Sequence, residues 1–251
     1  MGKSAKSRNH AGLPQGLRRL RRKKIRRCLR MRAIFRFGKI GRLKFVSHLD
    51  LQRYMQRAFN RTELPVAFSQ GFNPHPVMSF ASALAMGWVS EYEILDVKLD
   101  KPIAKEFALK EMRNALPPEL PVYEVKFVDD RHASMMSLVK MSDYEIEIFE
   151  NMDKIKEAAR EFLLSDTVMA IRKTKSSERE INIRPLCVYL SSQDNILKCR
   201  LMLTEADTLK PDLLLKTLSE MASIEVPRAQ IKRTRLIGLA KSGRETPLME
   251  L

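Results

Sequence analysis

From residue 31 onward the apolar positions follow a strict rhythm. Ala33, Phe35 and Phe37 alternate with Arg32 and Arg36, the period-two pattern of a strand with one solvated face. Leu43-Lys44-Phe45-Val46 extends or pairs that strand after a turn at residues 38–41. Ser47 then suits a helix N-cap. Asp50, in the third helical position, completes a capping box with Asp in place of Glu. The helix predicted to about Asn60 buries Leu51, Met55, Ala58 and Phe59 at helical spacing. A short strand is expected at 65–69. Two prolines and a glycine make 70–76 a loop, since neither residue type suits a ladder. A short strand at 78–81, a clear one at 92–99, a helix at 103–116 ended by Pro117-Pro118 and a strand at 121–128 follow.

Residues 129–142 lose the period and read as a linker. The order then repeats. Tyr144, Ile146 and Ile148 alternate with Glu145 and Glu147. A helix at 153–164 buries Ile155, Ala159, Phe162 and Leu163. Strands are predicted at 168–172, 183–190 and 196–203, with Asn195 turning the last hairpin. A helix opens at Pro211-Asp212, and a strand at 231–237 closes the half. The predicted class is therefore α+β. It consists of two tandem ferredoxin-like β-α-β-β-α-β units with antiparallel sheets, at 31–130 and 143–251, joined by 131–142.

Composition refines this picture in two places. Hydrophobic residues make up 44% and charged residues 30%, which permits a packed core. The net charge is +16, a value that suggests a nucleic-acid partner until its distribution is seen. Residues 1–30 hold twelve Lys and Arg and no acid, leaving 34 basic residues against 30 acidic ones in the rest. The strong field belongs to that segment alone. It is either a basic, disordered arm that binds polyanions or an over-annotated start preceding a true Met31. The three cysteines, Cys28, Cys187 and Cys199, are too scattered for a disulfide framework or a zinc site. Cys187 and Cys199 read as small buried strand residues. No apolar run approaches the roughly 18 residues of a membrane span, and no secretory signal is present. A cytoplasmic, non-membrane protein is expected.

Two segments carry candidate chemistry. In Ser47-His48-Leu49-Asp50, the start of a helix favours a neutral imidazole, which could act as a base with Asp50 receiving its proton. The structural alternative, with Ser47 and Asp50 capping and His48 packing, needs no further assumption. Gln70-Gly71-Phe72-Asn73-Pro74-His75-Pro76 is a stiff loop that presents Asn73 and His75, a way to position polar groups for a ligand or partner. Ser79 follows close behind. His48, Asp50 and His75, if gathered, would be a metal-capable set. No HExxH pattern supports this, and no metal is expected. A third segment is basic. Lys173, Lys175, Arg179 and Arg184, with Lys198 and Arg200 of the next strand, could form a positive sheet surface for phosphate or RNA. The alternative is a solvated face balanced by Glu178 and Glu180. Tyr189 is the sole stacking platform nearby. No Gly-x-Gly-x-x-Gly, Walker loop, kinase signature or nucleophile elbow is present, and no cofactor is expected.

The run Phe35-Arg36-Phe37-Gly38-Lys39-Ile40-Gly41-Arg42-Leu43-Lys44-Phe45-Val46-Ser47-His48-Leu49-Asp50-Leu51, then Arg57-Ala58-Phe59-Asn60-Arg61, Leu64 through Pro76 and Ser79-Phe80, closely resembles the bacterial radical-SAM-linked protein family, a domain of unknown function. The likeness is specific over about 32–100 and looser through Ile183-Arg184-Pro185 to the end. It implies a partner: a separate radical SAM protein encoded beside, or fused before, this domain. The chain itself lacks the Cys-x-x-x-Cys-x-x-Cys triplet that would hold a SAM-binding cluster. The function expected is an accessory or substrate-presenting partner of a radical SAM enzyme, with RNA as its cargo. Two alternatives stand beside it: an RNA-processing or RNA-modifying enzyme using His48 or His75 as general base, and a protein–protein scaffold without RNA.

Overall fold

A computed structural model describes residues 31–173 and 178–251. Its strands are β1 (Met31–Lys39), β2 (Met78–Phe80), β3 (Val89–Leu99), β4 (Val122–Asp129), β5 (Met141–Ile148), β6 (Met169–Lys173), β7 (Glu178–Asn182), β8 (Cys187–Gln193), β9 (Ile196–Met202), β10 (Ala229–Leu239) and β11 (Glu245–Pro247). Its α-helices are α1 (His48–Phe59), α2 (Lys105–Ala115), α3 (Met135–Leu138), α4 (Met152–Leu164) and α5 (Pro211–Met221). The class is mixed α+β, built on one large, mostly antiparallel sheet.

That sheet has nine strands in the order β4-β1-β3-β10-β5-β9-β8, with β2 added to β3 and β11 to β10. Within 31–130 the path is β4-β1-β3-β2, and every pairing is antiparallel. Within 141–239 it is β10-β5-β9-β8, again all antiparallel. The two paths meet where β3 and β10 pair in parallel, through Lys232 opposite Val89 and Arg233 opposite Ser90. β3 can accept both neighbours on one edge because β2 occupies its far end, at Leu95–Val97.

Alternation along the strands sends one stripe into each helical layer. Ala33, Phe35 and Phe37 pack with Leu51, Met55, Ala58 and Phe59 of α1 and with Ala108 and Met112 of α2. Tyr144, Ile146 and Ile148 pack with Ile155, Ala158 and Phe162 of α4 and with Leu214, Leu215 and Leu218 of α5. On the opposite face of β1 and β3, Ile34 and Ile94 are covered by Met135, Val139, Leu248 and Met249. Burial on both sides makes β1 more enclosed than its alternating pattern implies. Arg32 and Arg36, the residues expected on a solvated face, are partly enclosed and paired with Asp96 and Glu124.

Four stretches differ from the sequence expectation. Residues 43–46, expected to extend or pair the first strand, instead belong to a 3₁₀ turn at Gly41–Phe45 and its cap Val46. The segment 131–142 carries α3 and the start of β5, and Met135 is fully buried. Residues 65–69 make only single bridges, Val66 to Leu99 and Phe68 to Pro76. The strand expected at 183–190 is interrupted, because Pro185 lacks a ladder donor and falls in a 3₁₀ turn at Arg184–Leu186. What precedes that turn, β7, pairs with β6 in a separate two-stranded sheet.

Gly238 on β10 is a close approach. A Cβ there would lie 2.6 Å from the Leu138 carbonyl oxygen and 2.5 Å from Leu251 Cδ1. Because the carbonyl is backbone and cannot swing aside, Gly238→Ala is expected to destabilise the fold by about 1–3 kcal/mol, as overpacked cores do. Urea denaturation monitored at Trp88 checks this.

Candidate functional site

The stripes of β1, β3 and β10 each end in a charge. Ala33, Phe35 and Phe37 are followed on the same side by Lys39. Leu99, Val97 and Leu95 are followed by Glu93. Ile231 is followed by Arg233. All three charged residues are essentially inaccessible, at 0%, 1% and 1% exposure. The register brings them to one place. Phe37 faces Glu93, Lys39 faces Ser90, and Arg233 faces Ser90 on one side and Tyr144 on the other.

Arg233 Nη1 donates to Glu93 Oε1 at 3.1 Å, and Nη2 donates to the Ala83 carbonyl at 3.0 Å and Ser82 Oγ at 3.4 Å. Its Cζ stands 5.8 Å from the Tyr144 ring centroid, and its Nε has no partner. Burial is the largest single influence and opposes the guanidinium charge, but Glu93 and Tyr144 together outweigh it and hold Arg233 above its ordinary pKa. Lys39 Nζ donates to the Val46 carbonyl at 2.7 Å. Burial lowers its pKa, with Glu93 opposing and Arg233 reinforcing.

His48 sits over this cluster. Ser47 opens α1 by accepting a hydrogen bond from the Asp50 amide at 3.2 Å, which places His48 in the first turn. Its ring meets Phe80 edge-on at 5.0 Å, and Phe80 in turn packs against Phe37. Burial lowers the His48 pKa below 6.5, opposed by Glu93 and reinforced by Lys39. Asp50 turns away. Ser47 Oγ donates to it at 2.7 Å and Arg53 at 3.1 Å, and both keep its carboxyl below the usual range, with Ser47 the larger cause. Ser47 and Asp50 thus form the capping arrangement.

The loop at Gln70–His75 is exposed and lies before the opposite end of β2. It closes on itself. The Ser69 amide donates to the His75 carbonyl at 2.9 Å, and the His75 amide donates to Ser69 Oγ at 3.1 Å. His75 Nδ1 lies 3.0 Å from Ser69 Oγ and 3.2 Å from the Asn73 carbonyl. Gly71 takes a φ of 129°, where a side chain would be strained. Phe72 projects fully into solvent, at 105% exposure. Ser79 pairs with Asp96 in the β2–β3 ladder. His48 meets the last residue of β2 and His75 precedes its first, so the two histidines are not brought together. Among the described residues no group of three His, Cys, Asp or Glu suits a metal ion.

The basic residues of the second half are mostly engaged. Arg200 makes paired bonds to Asp143 at 2.7 and 2.9 Å and also meets Glu245. Lys173 pairs with Glu178 at 2.7 Å. Arg184 donates to the Cys187 and Leu163 carbonyls and stands over the Phe162 ring. Lys198 reaches Gln193 at 3.5 Å, Arg179 is exposed, and Lys175 lies outside the described residues. Cys187 and Cys199 are buried, and burial raises the Cys187 thiol to about 12. Such a thiol is inert at neutral pH.

Lys39 and Glu93 were not among the residues that the candidate-site patterns pointed to, and Arg233 reads in the sequence only as one more basic residue of the last long strand. Their signal was parity, since each continues an apolar alternation into a position where a core residue is due.

Fold and site together define an α+β protein whose two sheet paths are joined around a buried ion pair. The chain belongs to the family described as "Uncharacterized protein conserved in bacteria (DUF2344)", whose model matches residues 32–211. No curated protein matches the chain. Among the described residues, no helix is long and apolar enough to cross a membrane.

Two outcomes follow from the cluster. Arg233→Met strands a buried carboxylate and is expected to cost about 3–5 kcal/mol, whereas Arg233→Met with Glu93→Leu recovers most of that loss; urea unfolding of the three chains decides it. The second concerns pH. The folded chain favours neutral His48, so the unfolded chain binds more protons below 6.5, and stability falls as pH drops through the window beneath that value. An NMR titration should place the His48 midpoint below 6.5. His48→Phe, which keeps an aromatic edge on Phe80, should flatten the acid side of the stability curve.

Proposed function

We propose that this chain is an accessory protein that engages a radical SAM enzyme, and that it docks through the surface around His48. The partner is the one implied by the likeness at residues 32–100. The observation that carries the docking surface is the layering at the start of α1. The charged groups beneath His48 tie strands together, while large apolar groups face outward beside the exposed Asp50–Arg53 pair. Phe45, Leu49 and Met86 are 63%, 62% and 65% exposed. The Gly87 amide, which donates to the Lys44 carbonyl at 2.8 Å, holds Met86 beside the Phe45 segment. Large apolar side chains grouped at a surface mark interaction sites.

We also read each half as a ferredoxin-like unit. The support is the pair of strand orders, β4-β1-β3-β2 and β10-β5-β9-β8, each with two helices on one face. RNA as a cargo draws less support from the sheet, because Arg200 and Lys173 already face carboxylates. The enzyme alternative draws on the enclosure of His48, which lowers its pKa and so favours the neutral imidazole that a general base requires.

The test is anaerobic size-exclusion chromatography of the full chain with the radical SAM protein encoded beside its gene. A co-eluting complex that survives ribonuclease is expected, and Phe45→Asp and Leu49→Asp should each weaken it about tenfold or more. Absence of any complex would sink this reading. Turnover of RNA by the chain alone, lost in His48→Ala, would replace it with the enzyme.

A further inference from the structure

A second surface lies far along the chain from His48. A cleft of about 520 Å³ opens between β6 and the start of α5. Three consecutive residues of β6, Ile171, Arg172 and Lys173, border it. Successive side chains of a strand point to opposite faces, and three in a row along one cleft fit a strand whose edge is turned toward it. β6 pairs with β7 on one edge and with no described strand on the other. Leu213 and Lys216 of α5 form the opposite wall.

An open strand edge facing a helix across a groove is the geometry of strand-addition recognition. Main-chain hydrogen bonds supply affinity there, and pockets for alternate side chains supply specificity. The lining chemistry narrows the guest. Ile171 and Val226 are 51% and 53% exposed, leaving an aliphatic floor open. Arg172, Lys173, Lys210 and Lys216 surround it against one lining acid, Asp212. Glu178 and Glu220 compensate Lys173 and Lys216 from outside the lining, at 2.7 and 3.4 Å. None of the described lining residues is aromatic, so unpaired bases would find no stacking platform.

We propose that this cleft takes an extended acidic segment of a partner protein, with aliphatic residues at alternate positions, added as a third strand to the β6–β7 hairpin. Its acidic side chains meet Lys210 and also Arg172, which gives up its bond to the Thr208 carbonyl in exchange; its aliphatic ones cover Ile171 and Val226. This inference does not depend on the docking surface at His48.

The test is fluorescence anisotropy on the full chain with three labelled probes: a ten-residue peptide alternating Glu and Ile, a peptide of the same composition rearranged to helical spacing, and a ten-nucleotide oligouridylate. The basic run at residues 18–27 attracts any polyanion, so the difference between variants is what is read. The alternating peptide should bind at least tenfold more tightly than the rearranged one. Lys210→Glu and Val226→Asp, both at exposed positions, should each weaken it about tenfold, equivalent to 1.4 kcal/mol. Binding that neither variant alters would overturn the proposal, as would equal binding of the rearranged peptide. Oligouridylate binding lost in the same variants would reassign the cleft to nucleic acid.

Discussion

The arrangement of the two halves depends on one buried ion pair. β3 and β10 contribute only two register pairs to their junction, too few to fix a strand position by ladder bonds alone. Arg233 supplies the missing definition. Slipping β10 by one residue would turn Arg233 to the other face of the sheet and leave Glu93 buried without a partner, because side chains alternate with a period of two. A buried charge stripped of its partner is among the more destabilising single defects a fold can contain. The pair is therefore better regarded as a device that fixes register than as a source of net stability. Gln230 reinforces it from the same strand by donating to the Gly87 carbonyl at 3.1 Å and by accepting from Lys44.

The open face of the sheet follows a different logic. Arg36 meets Glu124, Lys232 meets Glu91 and Glu145, and Arg200 meets Asp143 and Glu245. Individually such half-exposed pairs contribute little. Collectively they cancel the charge that alternation displays on one face. Basic strands then present a nearly neutral surface, in keeping with the small excess of 34 basic over 30 acidic residues beyond position 30. A polyanion approaching the sheet would have to displace carboxylates already in place, and for Arg200 these occupy the two-pronged geometry that phosphate would need.

Local physics was legible in the sequence, and tertiary physics was not. Ser47 and Asp50 could be assigned as a cap because the bond that defines them spans three residues. Phe35, Phe37, Ile146 and Ile148 could be placed inside by period alone. Lys39 and Glu93 sat at core parity in plain view, yet parity cannot say that a charge is tolerated until a partner is known. That partner, Arg233, lies 140 residues from Glu93. Ile34 was expected in no core because its cover comes from Leu248 and Met249 at the other end of the chain. Pro185 did announce the break before β8, and its weight was lost in the apolar run of Ile183, Leu186 and Val188. His48 was visible as a candidate, but the burial that lowers its pKa comes from tertiary packing.

The two halves also share where they depart from a minimal order. In the first, residues 60–77 lie between α1 and β2; in the second, residues 165–186 lie between α4 and β8. Both insertions follow the first helix of their half and precede its edge strand, so both emerge at corresponding points of the two strand paths. Both also carry apolar side chains that no core claims: Phe68, Phe72 and Val77 in one, Met169 and Ile171 in the other. Both are anchored at their bases, Val66 bridging Leu99 of β3 and Val168 and Ile183 sitting in the second core, so it is their exposed tips that can vary without disturbing the strands that hold Arg233. That separation of a register-fixing seam from peripheral, apolar-tipped insertions is the arrangement by which loops on a rigid scaffold carry recognition. It leaves the joined sheet free to serve as the frame that holds both insertions in fixed relation.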